Sequence, residues 1–156
     1  MEKVSGMLIV KIYNNWVDKG KAIAAKGEGP KTFYWSTGSR GQGKFFMIVD
    51  AWKGMEVYSS DDLLVWKKQP ARILEEPGNG KDDQAMGGHC DVVVSNDRAF
   101  VYYFTHPGRR KDKPAAKNSF DDKRSVIQVA ELKYVRGEIV CDRDELLKFK
   151  LTAKTK

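Results

Sequence analysis

The sequence has few of the residues on which common catalytic centres depend. Its 156 residues include two histidines and two cysteines, and Cys90 and Cys141 do not have metal-ligand spacing. This pair predicts no zinc site and does not establish a disulfide. Because disulfides would indicate an oxidising compartment, the cysteines do not identify the cellular compartment of the protein. The glycine-rich stretch Ser36–Gly43 runs directly into an apolar strand pattern rather than into a helix, which excludes a phosphate-binding loop.

Long apolar runs are also lacking. No stretch is long enough to cross a bilayer, and Met1–Val10 has neither the length nor the cleavage site of a secretory signal. We therefore expect no membrane partner, while a secreted or periplasmic parent protein stays compatible with the sequence. A hydrophobic content of 41% is enough for one domain with a core.

The net charge of +7 raises the question of nucleic acid, but the charge is concentrated in two segments. Residues 108–124 contain seven basic and three acidic side chains, and residues 143–156 contain five basic and two acidic ones. The remainder of the chain is neutral. We interpret the surplus as solvated charge on a loop and a tail and expect no nucleic-acid partner, although a basic β-domain that binds nucleic acid stays an alternative.

Short runs rich in valine, isoleucine and aromatic residues, separated by turn residues, predict an all-β, antiparallel chain. The predicted strands are Thr32–Trp35, Lys44–Asp50, Met55–Ser59, Asp91–Ser95, Arg98–Thr105, Ser125–Leu132 and Glu138–Cys141. Two hairpin turns are expected, at Ser95–Arg98 and Val135–Glu138. Helix signals are scarce and are limited to Asp142–Lys150 and to one turn at Ser60–Leu64.

An internal repeat indicates the architecture. The segment Trp16–Ile23 aligns without gaps on Trp66–Ile73, which gives a period of 50 residues. Periods of this length with four strands per unit are typical of β-propeller blades. The alternative is that the two tryptophans anchor unrelated hairpins.

Polar side chains next to the predicted strands are the candidate site residues, because inner-strand entries line the central channel of a propeller. They are Glu28, Asp50, Trp52, His89, Asp91, His106 and Arg124. The tracts around them, Glu28–Pro30, Lys44–Trp52, Val57–Trp66, Gly88–Val94, Phe100–Gly108 and Arg124–Leu132, resemble the later blades of five-bladed β-propeller glycoside hydrolases of the family 43 type. The resemblance extends from about Tyr13 to about Asp142.

The resemblance implies a role for each candidate. Glu28 is expected to be the general acid that protonates the leaving glycosidic oxygen, with Phe33 and Trp52 supplying the desolvation that an acid needs. The other six would bind the sugar: Asp50, Trp52, His89, Asp91, His106 and Arg124. No cofactor is implied, but a structural calcium ion near His89 is compatible with the family. For each position the alternative is an ordinary surface or core residue.

The sequence does not supply the family's whole mechanism. A glycosidase needs a second carboxylate as base, and the only aspartate among the 27 residues before Glu28 is Asp18, at an outer-blade position. Five blades of about 50 residues also exceed this chain. We therefore expect two to three blades of five, the C-terminal half of such an enzyme, inactive alone.

The same hypothesis predicts how the chain is divided into blades, a loop and a tail. Residues 1–30 would end a preceding blade and its loop, 31–75 and 89–142 would be blades, the second with the basic loop 108–124, and 143–156 would be a basic tail. Carbohydrate is the expected partner, together with self-association through open blade edges. The alternative function is a non-catalytic fragment that binds carbohydrate or pairs with another chain. Arabinose, xylose, galactose and anhydro sugars are all compatible.

Overall fold

The computed structural model describes residues 5–12, 15–36 and 43–148, with the backbone alone for 5–12 and 15–16. The glycine-rich residues 37–42 and the final residues 149–156 lie outside this part. Ten strands and one short helix follow in order: β1 Ser5–Ile12, β2 Asn15–Ile23, β3 Glu28–Ser36, β4 Gly43–Asp50, β5 Met55–Ser60, β6 Lys67–Lys68, β7 Gly87–Ser95, β8 Arg98–Thr105, α1 Phe120–Lys123, β9 Val126–Val135 and β10 Glu138–Cys141.

The strands form two four-stranded antiparallel sheets and one hairpin. Strands β3 to β6 form the first sheet and β7 to β10 the second, each in chain order, while β1 pairs with β2. The all-β, antiparallel prediction is confirmed. Each sheet is a simple meander, because every strand pairs with the next strand of the same sheet in the sequence.

The main core lies between the two sheets. Its fully buried side chains alternate along the strands, since successive residues of a strand point to opposite faces. The first sheet contributes Phe33, Trp35, Phe46, Ile48, Met55 and Val57, and the second contributes Val92, Ala99, Val101, Tyr103, Ala130, Leu132 and Ile139. Phe46 and Tyr134 make an edge-to-face contact, with ring centroids 5.7 Å apart. Strand β3 also packs beside β7.

The opposite face of the first sheet packs against the end of β2. There Met47, Val49 and Tyr58 surround Ile23, and Trp66 packs at the margin of this smaller cluster. The Trp66 indole donates a hydrogen bond to the Leu63 carbonyl, at 3.0 Å. The repeat thus places Trp66 directly before the last strand of the first sheet and Trp16 in β2, the second strand of the hairpin.

Both helix predictions are wrong over the described residues. Residues 142–148 form turns and irregular structure, and Ser60–Leu64 forms bends in which the Asp62 carboxylate accepts the backbone N–H groups of Leu64 and Val65. The one short helix, α1, lies instead in the basic loop, capped by the Ser119 hydroxyl. Within the described part of the chain, no helix is long and apolar enough to cross a membrane.

The segment that follows β10 is attached to the body of the protein. Arg143 forms a buried ion pair with Asp83, whose carboxylate also accepts a hydrogen bond from the Tyr103 hydroxyl at 2.9 Å. The Asp144 carboxylate accepts hydrogen bonds from the backbone and side-chain amides of Asn79. The start of the predicted tail therefore belongs to the folded structure.

Candidate functional site

Three of the predicted site residues meet where the two sheets come together. Glu28 begins β3 and Asp50 ends β4, and the two are partners in the antiparallel ladder. His89 comes from β7 in the other sheet and is brought to them because β3 packs beside β7. The β3–β4 pair thus supplies two carboxylates, and the contact between the two sheets supplies the imidazole.

The three side chains form a compact cluster. The His89 Nδ1 atom lies 3.3 Å from Asp50 Oδ2 and 3.8 Å from Glu28 Oε1. One ligand-type atom from each of the three residues lies within 4.8 Å of the others. The cluster therefore brings two carboxyl groups of the first sheet and one imidazole of the second sheet to the same point.

Asp50 is the buried member of the cluster. Only 6% of its side chain is exposed, and its two carboxylate oxygens accept backbone N–H groups, Oδ1 from Trp52 and Oδ2 from His89, both at 2.8 Å. Trp52 and His89 have positive φ angles of 59° and 23°, and these hydrogen bonds hold that unusual backbone in place. Asp50 therefore organises the site and does not present its carboxylate to solvent.

Glu28 and Trp52 form the accessible side of the site. The Glu28 side chain is 28% exposed, and its Oε1 accepts a hydrogen bond from the Trp52 indole N–H at 3.2 Å. Trp52 itself is 49% exposed. An exposed indole face beside a carboxyl group offers a surface on which a sugar ring can stack.

Phe33 is not placed as expected for desolvation of Glu28. Its ring is buried in the core and is stacked on Phe46, with centroids 5.7 Å apart. The Glu28 carboxyl contacts the Trp52 indole N–H and lies 3.8 Å from the His89 imidazole.

Two other predicted residues are engaged in separate interactions. Asp91, whose side chain is 65% exposed, forms an ion pair with Lys31, and this hydrogen bond lowers the pKa of Asp91. Arg124 binds Asp82 at 2.7 Å and Asp121 at 2.9 Å, and its hydrogen bond lowers the pKa of Asp82. Neither charge is directed at the Glu28 cluster by these contacts.

His106 is linked to the cluster through an aromatic residue that sequence reasoning missed. Its Nδ1 atom lies 3.0 Å from the Arg124 carbonyl, and its ring makes an edge contact with Phe104. Phe104 is in turn stacked on His89, with centroids 5.8 Å apart. The alternating pattern of β8 predicts on which face of the sheet the Phe104 side chain lies. It does not predict which residue of a neighbouring strand the Phe104 ring contacts.

Gly29 is a second residue that the sequence analysis did not single out for the site. It has a φ of +56°, and a Cβ atom there would lie 2.7 Å from Cδ2 of His89. Only glycine allows both this conformation and this approach of the imidazole. The signal was present in the sequence, since Glu28 lies between two glycines.

The cluster alone does not supply the ligand set of the calcium ion that the family resemblance admits. Calcium takes about 6–8 oxygen ligands, whereas this set contains two carboxylates and one imidazole nitrogen. Three of the carboxylate oxygens already accept hydrogen bonds, from two backbone amides and one indole.

Comparison with protein-family models gives no match, and comparison with the curated proteins gives none either.

Proposed function

We propose that the chain forms part of a glycoside hydrolase, in which Glu28 is the general acid. In this proposal the two four-stranded sheets are neighbouring blades of a β-propeller, and β3 and β7 are their inner strands. The packing of β3 beside β7 and the meander order of each sheet support this arrangement. The site would then lie at the channel end of both inner strands.

The contact between Glu28 and Trp52 is the observation that carries the proposal. A partly exposed carboxyl group held by an indole N–H lies at the edge of an exposed aromatic face. A sugar stacked on that face would have its glycosidic oxygen within reach of the Glu28 carboxyl. Glu28 would give its proton to that oxygen as the bond to the anomeric carbon breaks.

Asp50 and His89 act as positioning residues in this scheme. The buried Asp50 carboxylate fixes the backbone that presents Trp52 and His89. The β3–β4 ladder places the two carboxyl groups opposite each other, and the imidazole Nδ1 lies near both. Hydrolysis also needs a base that activates water on the opposite face of the sugar. We propose that this base belongs to blades that this chain does not supply.

Sugar binding is the first test of the proposal. Isothermal titration calorimetry of the full chain with arabinose, xylose and galactose oligosaccharides should detect binding to at least one of them. We expect Trp52→Ala to weaken that binding by tenfold or more, equivalent to about 1.4 kcal/mol, because it removes the stacking face. Tyr34→Ala is the matched control, because Tyr34 is also an exposed aromatic residue, with 51% exposure. It lies on β3, the strand that begins at Glu28, roughly 20 Å from Glu28 at the usual rise per residue of a strand.

The acid role has its own test, in which azide replaces the missing base. Azide attacks the anomeric carbon of an aryl glycoside, the glycosidic bond breaks, and the proton of Glu28 passes to the leaving oxygen. We expect Glu28→Gln to reduce azide-dependent release of phenol, a poor leaving group, by about 100-fold and that of dinitrophenol much less. An equal loss with both leaving groups contradicts the acid role.

The second candidate function is carbohydrate binding without hydrolysis. The burial of Asp50 favours it, because of the two clustered carboxylates only Glu28 reaches solvent. Under this alternative, Trp52→Ala abolishes binding while Glu28→Gln leaves it unchanged, and azide produces no aryl release. Absence of binding to every oligosaccharide would contradict both functions.

A further inference from the structure

A cavity of about 380 Å³ adjoins the candidate site at Trp52. Its volume lies within the range of small-ligand sites, roughly 300–1,000 Å³. Trp52 lines the cavity and also donates its indole N–H to the Glu28 carboxyl. A chain of sugar units that stacks on Trp52 can therefore reach the cavity and Glu28 together.

The lining of this cavity combines an apolar surface with basic side chains. Ala85 and Met86 contribute apolar surface beside the Trp52 ring. Three basic residues also line it, namely Lys53, Arg109 and Lys111. The one carboxylate in the lining, that of Glu75, lies 3.6 Å from the Arg72 guanidinium.

The two lysines carry the charge that is available to a ligand. Arg109 lies 3.4 Å from the Asp122 carboxylate and is therefore partly neutralised. Within the part of the chain that the structure describes, Lys53 and Lys111 form no ion pair. Both are exposed. An ammonium group without a partner attracts an anion most strongly where apolar surface excludes part of the water.

We infer that this cavity binds an anionic sugar unit, so that the substrate class is a glycan bearing carboxylate or sulfate groups. The inference rests on the proposed function and names the ligand of the same site. In this arrangement the ring of one unit stacks on Trp52, and the anionic group of the adjacent unit contacts Lys53 and Lys111. Neutral glycans then bind through Trp52 alone.

The experiment compares ligands that differ only in charge. Calorimetry of the full chain uses oligogalacturonate, its fully methyl-esterified form, a neutral galactose oligosaccharide and the same oligosaccharide carrying sulfate esters. We expect the free acid or the sulfated form to bind at least tenfold more tightly than its neutral counterpart. The ligand that shows the larger difference identifies the anionic group as carboxylate or sulfate.

A pair of variants assigns that preference to the cavity. Lys53→Gln combined with Lys111→Gln should remove the tenfold preference and change neutral binding by less than twofold. Lys117→Gln combined with Lys123→Gln is the control, because it changes the net charge equally and Lys117 and Lys123 do not line the cavity. If the control pair removes the preference equally, the attraction is general and the inference is overturned.

The remaining outcomes separate this inference from the proposed function. If a neutral glycan binds through Trp52 and its charged form binds no more tightly, the inference fails while the proposed function stands. If no glycan binds, both fail. If single-stranded DNA binds more tightly than every glycan and depends on Lys53 and Lys111, the cavity is a nucleic-acid site and the inference is also overturned.

Discussion

Glu56 shows how this protein stabilises a buried charge within a sheet. Its carboxylate is 9% exposed and contacts the Lys68 ammonium at 2.6 Å, the Tyr58 hydroxyl at 2.7 Å and the Arg72 guanidinium at 3.3 Å. Burial alone would raise the pKa of Glu56, but the hydrogen bonds from Lys68, Tyr58 and Arg72 and the charge of Lys68 together lower it. The folded state therefore favours the ionised carboxylate.

We expect Glu56→Gln to lower the free energy of unfolding at pH 7 by about 1–3 kcal/mol. Because the pKa of Glu56 is lower in the folded state, its contribution is fully present above the ordinary value of 4.5. That contribution is lost as the pH falls through the folded-state pKa. Urea unfolding between pH 2 and pH 7 should thus show a difference that closes at the acid end.

Glu76→Gln is the matched control for this experiment, because Glu76 is exposed and has no ion pair among the described residues. It should leave the unfolding curves nearly unchanged at every pH. A Glu56→Gln difference that stays constant down to pH 2 would show that the charge of Glu56 is not what stabilises the sheet.

At the candidate site, the sequence could predict the contacts that depend on one hairpin. Glu28 and Asp50 meet because β3 and β4 are consecutive and pair in register. His89 joins them only through the packing of two sheets, which no local pattern encodes. Arg124 was expected at the same site, but it binds Asp82 and Asp121 instead. Those partners lie in loops whose paths depend on the whole fold.

Among the structural elements, the two tight hairpin turns of the second sheet share one backbone geometry. Asn96 and Asp97 have φ angles of 50° and 61°, and Arg136 and Gly137 have φ angles of 52° and 90°. Two central residues with positive φ form the type I′ turn that matches the twist of the strands. The second central position of this turn favours glycine. Gly137 occupies it in one turn and Asp97 occupies it in the other.

We expect an exchange at that position to have opposite effects in the two turns. Asp97→Gly should stabilise the protein by about 0.5 kcal/mol, because glycine adopts positive φ without steric cost. Gly137→Asp should destabilise it by a similar amount, since a Cβ there meets no atom within 4 Å and only the backbone preference changes. Thermal unfolding of both variants measures the shifts, and shifts of the same sign would contradict this explanation.

The seven predicted strands could be read from the sequence because each is a β-branched and aromatic run between turn residues. All seven lie within observed strands or differ from them by one residue at an end. Residues 142–148 carry a capping signal for a helix, but side-chain contacts to Asp83 and Asn79 hold them in another conformation. Long-range contacts there override local preference.

For the whole molecule, strand β4 of the first sheet is buried on both of its faces. Adjacent residues of β4 face different neighbours: Ile48 lies in the core shared with the second sheet, and Met47 faces the end of β2. Both side chains are buried, with exposures of 0% and 6%. The two positions therefore probe the two faces of one strand.

We expect Ile48→Ala to cost about 4–5 kcal/mol and Met47→Ala about 2 kcal/mol, at opposite ends of the range for such truncations. The core between the two sheets cannot collapse around the cavity, whereas the smaller cluster against β2 can relax. Urea unfolding followed by tryptophan fluorescence measures both losses. If Met47→Ala costs as much stability as Ile48→Ala, or more, the packing of the first sheet against β2 contributes at least as much as its packing against the second sheet.

The buried ion pair of Asp83 and Arg143 has a consequence for any shortened form of the protein. Both side chains are 6% exposed, and they join the connection between the sheets to the segment after β10. Removal of one partner from a buried pair leaves an uncompensated charge that costs about 3–5 kcal/mol. A boundary drawn directly after the last strand would discard Arg143, so the smallest stable form must extend past it.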